Sequence, residues 1–351
     1  MTGYLDNPFR GQGLPGKAPS DDHLPSTDAE AVGALLARCP VHHETPLIDA
    51  GALAEALGVA KVWIKDERGR MGLGSFKALG AAYAIAHDAA QVGGDPATAL
   101  KNRVYLCASA GNHGLSVAAG ARLFGARAVI YLAETVPDTF ANRLRAKGAE
   151  VVVEGADYEA SMVAAEQAAR EHDWQLLSDS SWQGYTELPR RVMEGYSQLA
   201  AEAARQVPEA PTHVLLQAGV GGLAAAVAAY VRKAWGDGPT VIVVEPDAAP
   251  ALFESIRARH LVTSQGPVSA MGRLDCKTPS MVALNGLARD ADALVTISEA
   301  QAADGVVRLA EAGLATTPSG GAGLAALLSG VVNPGADARV LAILSEGPED
   351  G

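Results

Sequence analysis

Short runs of β-branched and apolar residues alternate along this chain with longer alanine-rich segments, and that alternation limits the fold more than any other feature. Residues 62–64, 104–108, 128–132, 151–153, 213–216, 241–244, 293–297 and 340–344 predict strands. Helices are predicted between them at residues 77–87, 113–124, 138–147, 158–171, 185–206, 221–233, 299–311 and 321–328. Strands buried on both faces read as continuous apolar runs, and parallel neighbours need a helical crossover. The pattern therefore predicts an α/β protein with two open, twisted, mostly parallel sheets and helices on both faces. No internal repeat interrupts it. Two stretches depart from the rhythm: a Pro- and Gly-containing arm at residues 15–25 and a long irregular segment at residues 264–279.

The chain of 351 residues can bury a sizeable core in one large or two medium domains. Its formal net charge of -12 opposes a nucleic-acid partner, although a local site can still take a small anion. Cys39, Cys107 and Cys276 match neither a zinc spacing nor a disulfide framework, so they read as reduced structural thiols. No run of about twenty apolar residues occurs, and residues 1–16 lack a signal-peptide core. The expectation is a cytoplasmic protein without a membrane partner. His42 and His43 read as loop histidines, and no metal site is expected.

Four segments carry chemistry. Gly74-Ser75-Phe76-Lys77-Ala78 sets a lysine at a helix start, among Phe76, Leu79, Ala81, Ala82 and Tyr83. Desolvation there would lower the lysine pKa and free its amine for a Schiff base, the alternative being a side chain that snorkels to water. Ser109-Ala110-Gly111-Asn112-His113-Gly114 joins a strand to a helix. Its exposed N–H groups suit a carboxylate or an aromatic oxygen, or else it is a turn capped by Asn112. Gln217-Ala218-Gly219-Val220-Gly221-Gly222-Leu223 suits a phosphate held by backbone N–H groups, or is a tight packing turn. It lacks the endings of a P-loop or a dinucleotide fingerprint, so a cofactor phosphate monoester fits best. Ser345, past a strand end and followed by Glu346-Gly347, could meet a ring nitrogen or be a plain turn serine.

A lysine, an Asn-containing turn, a phosphate-sized glycine loop and a terminal hydroxyl are the parts that hold pyridoxal phosphate. From Thr45-Pro46-Leu47 to Ser345-Glu346-Gly347 the chain resembles the fold type II pyridoxal phosphate enzymes, the architecture of the tryptophan synthase β subunit. Within them it is most similar to the diaminopropionate ammonia-lyase group. Lys65-Asp66-Glu67-Arg68, Leu215-Leu216-Gln217 and Ser178-Asp179-Ser180-Ser181-Trp182-Gln183-Gly184-Tyr185-Thr186 carry that narrower likeness, the last setting it apart from threonine dehydratases.

The resemblance implies that Lys77 holds the cofactor covalently and moves the α-proton. It gives Gly219, Val220, Gly221, Gly222 and Leu223 the phosphate, Phe76 a place against the cofactor, Asn112 the ring oxygen or the substrate carboxylate, and Ser345 the ring nitrogen. Ser109, Ala110, Gly111, His113 and Gly114 would form the substrate carboxylate site. Asp179 would serve the leaving β-ammonium, with Tyr185 and Thr186 lining the same wall. It further implies a large domain of residues 1–82 and 188–351, a small one of residues 83–187, the cofactor in the cleft between them, and a homodimer. The expected reaction is α,β-elimination from an amino acid, 2,3-diaminopropionate first. Ala110 departs from the group, which carries an aspartate there for the D-isomer, so the L-isomer is the expected substrate. A hydroxy-amino-acid dehydratase is the second reading and a noncatalytic ligand-binding protein the third.

Overall fold

The computed structural model describes residues 3–16, 20 and 23–348, and in it the apolar runs pair into two separate sheets. The larger runs β1 (Tyr4–Asp6), β10 (Ala293–Ile297), β9 (Thr240–Pro246), β8 (His213–Gln217), β11 (Arg339–Leu344), β3 (Lys61–Asp66) and β2 (Leu47–Asp49). The smaller runs β6 (Glu150–Val153), β5 (Arg127–Leu132), β4 (Val104–Ala108) and β7 (Gln175–Leu176). Edge strands β1 and β2 pair antiparallel with β10 and β3, and every other pairing is parallel. All four strands of the smaller sheet come from the stretch between β3 and β8, so the chain leaves the larger sheet once and returns to it.

The eight predicted strands all form, seven of them with their apolar side chains buried on both faces and the edge strand β6 partly exposed. The short strands β1, β2 and β7 have no apolar run to announce them. The predicted helices form as well, with one shifted start. The helix expected from residue 185 begins at Glu187 as α7 (Glu187–Gln206), because Trp182 and Tyr185 exchange backbone hydrogen bonds of 3.1 and 3.0 Å in a turn ahead of it. Four helices were not predicted: α1 (Ala29–Leu36), α2 (Gly51–Leu57), α9 (Ala251–Ala258) and α10 (Met281–Asp290). They are too short to show a clear period. Residues 264–279 are irregular, as expected, whereas residues 17–19, 21 and 22 of the predicted arm lie outside the described residues.

Helix α3 (Lys77–Val92) packs against α7 across a very close crossing. A Cβ on Gly80 would lie 2.5 Å from the Tyr196 ring and 2.7 Å from Val192, so only glycine lets the two helices approach this far.

Behind the start of α3 lies a charged cluster with no solvent exposure. Arg70 gives Glu67 two hydrogen bonds of 2.7 Å and gives Glu202 of α7 bonds of 3.0 and 2.6 Å. Lys65 Nζ reaches Glu202 at 2.7 Å and Thr45 O at 2.6 Å. Burial alone would raise the Glu202 carboxyl, but the hydrogen bonds and charge of Arg70, then Lys65, hold it down at about 2. Lys65 is lowered as well, because burial there outweighs what Glu202 restores. The cluster ties β3 and the turn at Glu67–Gly72 to α7, and so fixes the segment that delivers Lys77.

Candidate active site

Lys77 is the first residue of α3, and the strand end of β11 holds it in place. Phe76 N–H donates to Ser345 O at 3.1 Å, and Ser75 forms an antiparallel bridge with Glu346. The Phe76 ring meets the Tyr196 ring edge-on with centroids 4.9 Å apart. Lys77 Nζ sits 5.3 Å from the Phe76 centroid and pairs with the carboxylate of Asp179.

That pairing corrects the expected lysine. The side chain keeps 21% of its exposure, and although burial pushes its pKa down, Asp179, Tyr196 and Cys276 outweigh burial and hold it well above the ordinary lysine value. The amine is thus a stabilised ammonium, and its partner sits well below the usual carboxylate range. For Asp179, burial acts upward and is overcome by the Lys77 charge and then by His113.

Asp179 owes its position to the Trp182–Tyr185 turn. The Tyr185 hydroxyl donates to Leu176 O at 2.8 Å and accepts Ser178 N–H at 3.1 Å, while its ring stacks on Trp182 at 4.5 Å. Ser181 docks the same segment on the start of α10, where its hydroxyl meets Ser280 Oγ at 2.6 Å and accepts Val282 N–H at 2.9 Å. The phenol of Tyr185 is therefore spent on backbone. Thr186 precedes α7 without capping it through its side chain.

Asn112 opens α4 (Asn112–Leu123), and its amide donates to Glu346 at 2.5 Å. Glu346, almost fully buried, also faces Arg273 Nε at 3.1 Å and accepts from the Thr317 hydroxyl. One carboxylate thus links the Asn112 turn, the strand end at Ser345 and the irregular 264–279 segment. Ser109, Ala110 and Gly111 lie half-buried in that turn, and Gly114 packs on Ser109 O. His113 is buried, with Nε2 at 2.7 Å from Leu177 O and Nδ1 without a partner; burial lowers its pKa. A cleft of about 730 Å³ opens beside Asn112 and Glu346, flanked by Leu115, Arg143, Arg68 and Arg273.

The glycine loop forms a cradle of unspent backbone N–H groups. Gly221 has φ +96 and precedes α8 (Gly222–Trp235). Among the described residues, the N–H groups of Gly219, Gly221, Gly222 and Leu223 donate to no backbone or side-chain acceptor, and that of Val220 faces the Cys276 thiol. Clustered free N–H groups at a helix N-terminus are what a phosphate monoester requires. The loop leans on Arg273, Leu274 and Cys276, which brings the cradle against the Arg273–Glu346 pair. Contacts thus connect Lys77, Asp179, Asn112, Ser345 and the loop into one site. Substituting Gly221→Ala forces a side chain into the left-handed region, so the fold is expected to lose about 1–2 kcal/mol of stability. A lowered urea midpoint of the cofactor-free variant checks this.

Three participants were missed by sequence reasoning: Glu346 as a side chain, Arg273 and Tyr196. Their partners are remote in sequence, and only the irregular 264–279 segment gave a signal. Among the described residues, no group of three or more His, Cys, Asp or Glu side chains could hold a metal ion.

The chain belongs to the pyridoxal-phosphate dependent enzymes, a family matching residues 39–346, and its cofactor is pyridoxal phosphate. The fold is that of the type II members. The diaminopropionate ammonia-lyase of Escherichia coli K12 is 34% identical over 283 residues, covering 76% of this chain and 70% of the relative. A crystal structure of the E. coli enzyme in complex with D-serine superposes with a TM-score of 0.87 at 29% identity, over 99% of this chain and 94% of that one. A serine dehydratase-like protein of Mus musculus is 28% identical over 306 residues, covering 87% of this chain and 86% of the relative.

Proposed function

We propose that this protein is an ammonia-lyase that removes the β-amine of 2,3-diaminopropionate, taking up one water and giving pyruvate and two ammonia. The observation that carries this reading is the Asp179 carboxylate held against Lys77 beside the anion cradle. An amine base and a carboxylate able to meet a β-ammonium then share one site.

When bound, pyridoxal phosphate supplies the electron sink that makes the α-proton removable. Gly219, Val220, Gly221, Gly222 and Leu223 would hold its phosphate, with Phe76, Asn112 and Ser345 holding its ring. Ser345 offers a neutral hydroxyl, which does not enforce a charged ring nitrogen and so favours loss of the β-substituent over transamination. Ser109, Ala110, Gly111, His113 and Gly114 would take the substrate carboxylate at the start of α4, where first-turn N–H groups favour an anion. Lys77 moves the α-proton, and Asp179, exchanging Lys77 for the substrate, holds the β-amine as an ammonium, which leaves as neutral ammonia without a further proton. Tyr185 and Thr186 stand behind Asp179, with Tyr185 fixing the backbone that carries it.

We assign residues 1–82 and 188–351 to a large domain and 83–187 to a small one that closes over the substrate. Several contacts cross that division, among them Lys77 with Asp179, Asn112 with Glu346 and Ser181 with Ser280. The resemblance supports a homodimer, which light scattering checks. Three free cysteines suit a reducing compartment such as the cytoplasm.

Pyruvate release from separate L- and D-diaminopropionate tests the reading. A positioned acid or base contributes about 10²–10⁴ in rate, and the Ala110 methyl cannot take a proton, so D turnover is expected about 100-fold below L. Ala110→Asp should raise D turnover. Equal rates for both isomers in the unaltered protein would sink the stereochemical claim. Similarity to the serine dehydratase-like protein supports the second reading, which turnover of L-serine or L-threonine without diaminopropionate would establish.

A further inference from the structure

Tyr196 lies on α7, 1% exposed, with its hydroxyl buried and without a hydrogen-bond partner. Buried hydroxyls are nearly always paired, so one that is not calls for a reason. The surroundings supply one. Lys77 Nζ lies 5.9 Å from the Tyr196 ring centroid, and Phe76 braces the ring from its edge. Gly80 leaves the space the ring fills on the α3 side, and Gly222 of the anion cradle approaches it on the other, 3.6 Å from a built Cβ to Tyr196 Cε2. The phenol therefore stands where Lys77 and the cradle meet, with the Lys77 amine as the polar group it faces.

We propose that the Tyr196 oxygen accepts an N–H of the free Lys77 amine, and so aims the nitrogen lone pair at the atom Lys77 attacks or deprotonates. This makes Tyr196 a positioning residue, and it rests on the assignment of Lys77 as the reacting amine. In the structure Asp179 is the amine's partner. Once Asp179 turns to a β-ammonium, the amine needs another. Around it stand Asp179 and His113, Cys276 from the irregular segment, Tyr158 at the start of α6 (Tyr158–His172), and Tyr196. His113 acts on Asp179 first, and Cys276 already faces Val220 N–H.

Tyr196→Phe removes the oxygen and keeps the ring contact with Phe76. Mixing cofactor-free protein with pyridoxal phosphate across a pH series reads the Lys77 amine directly, through the rate at which the visible band forms. An oxygen that accepts from the amine stabilises its ammonium, so removing it lowers the lysine pKa. The pH limb of band formation should move down by about one unit. Pyruvate kcat should fall roughly 10- to 100-fold. An unmoved pH limb would overturn the inference. A wild-type protein that forms the band but releases no pyruvate from any amino acid would sink the ammonia-lyase reading and leave the pH limb to decide the role of Tyr196.

Discussion

Replacing Lys77 by alanine is expected to lower pyruvate release by about a thousandfold or more, because one side chain serves both as covalent anchor and as proton carrier. A residual rate above about one tenth of wild type would remove Lys77 from the chemistry. The fold should tolerate the change. Lys77 and Asp179 retain 21% and 22% of their side-chain exposure, and pairs this open contribute about 1 kcal/mol or less. The pH dependence of stability should change in a defined way. Lys77 depresses the Asp179 carboxyl, so the pair adds stability above the ordinary carboxylate pKa of about 4 and loses it as pH falls further. Its raised lysine adds stability below about pH 10 and loses it as pH rises through the folded value. Cofactor-free Lys77→Ala should lack both dependences, which urea titrations across pH measure.

Glu202→Gln is expected to be the most destabilising single change outside the apolar core. It leaves Arg70 and Lys65, both without solvent exposure, sharing Glu67 alone as a carboxylate neighbour. Breaking a buried pair by removing one partner costs about 3–5 kcal/mol, since the remaining charge keeps its desolvation penalty. The urea midpoint should fall while the slope is unchanged. A depressed carboxyl stabilises above its unfolded pKa of about 4.3 and ceases to do so as pH falls toward the folded value of about 2. The wild type should lose stability across that window, and the variant should lose less. A midpoint within experimental error of wild type would show that the cluster contributes little.

The features legible from the sequence were those written in consecutive residues. Strands β3, β4, β5, β8, β9, β10 and β11 announce themselves because burial on both faces leaves no polar alternation. Lys77, Asn112 and Gly219–Leu223 were visible because each sits at a turn into a helix, where small residues mean close approach. What stayed hidden depends on pairs remote along the chain. The state of Lys77 is set by Asp179, 102 positions away, so a reading of its apolar neighbours gave the wrong sign for its pKa shift. Glu346 meets Asn112 across 234 positions, and no local pattern marks a carboxylate that will meet an amide. Edge strands β1 and β2 fail for a different reason: three residues with one face in water carry too little pattern to outweigh a loop.

The position of β11 bears on how the chain is made. This strand lies between β3 and β8, pairing with both, yet it is the last element in the sequence. During synthesis, the four strands between Val104 and Leu176 can meet one another while the larger sheet still lacks its middle. Until Arg339–Leu344 leaves the ribosome, β3 and β8 each expose an unpaired apolar edge, the kind of surface that invites association with other chains. A chain that stops before Arg339 would therefore yield an aggregating product rather than a weakened enzyme.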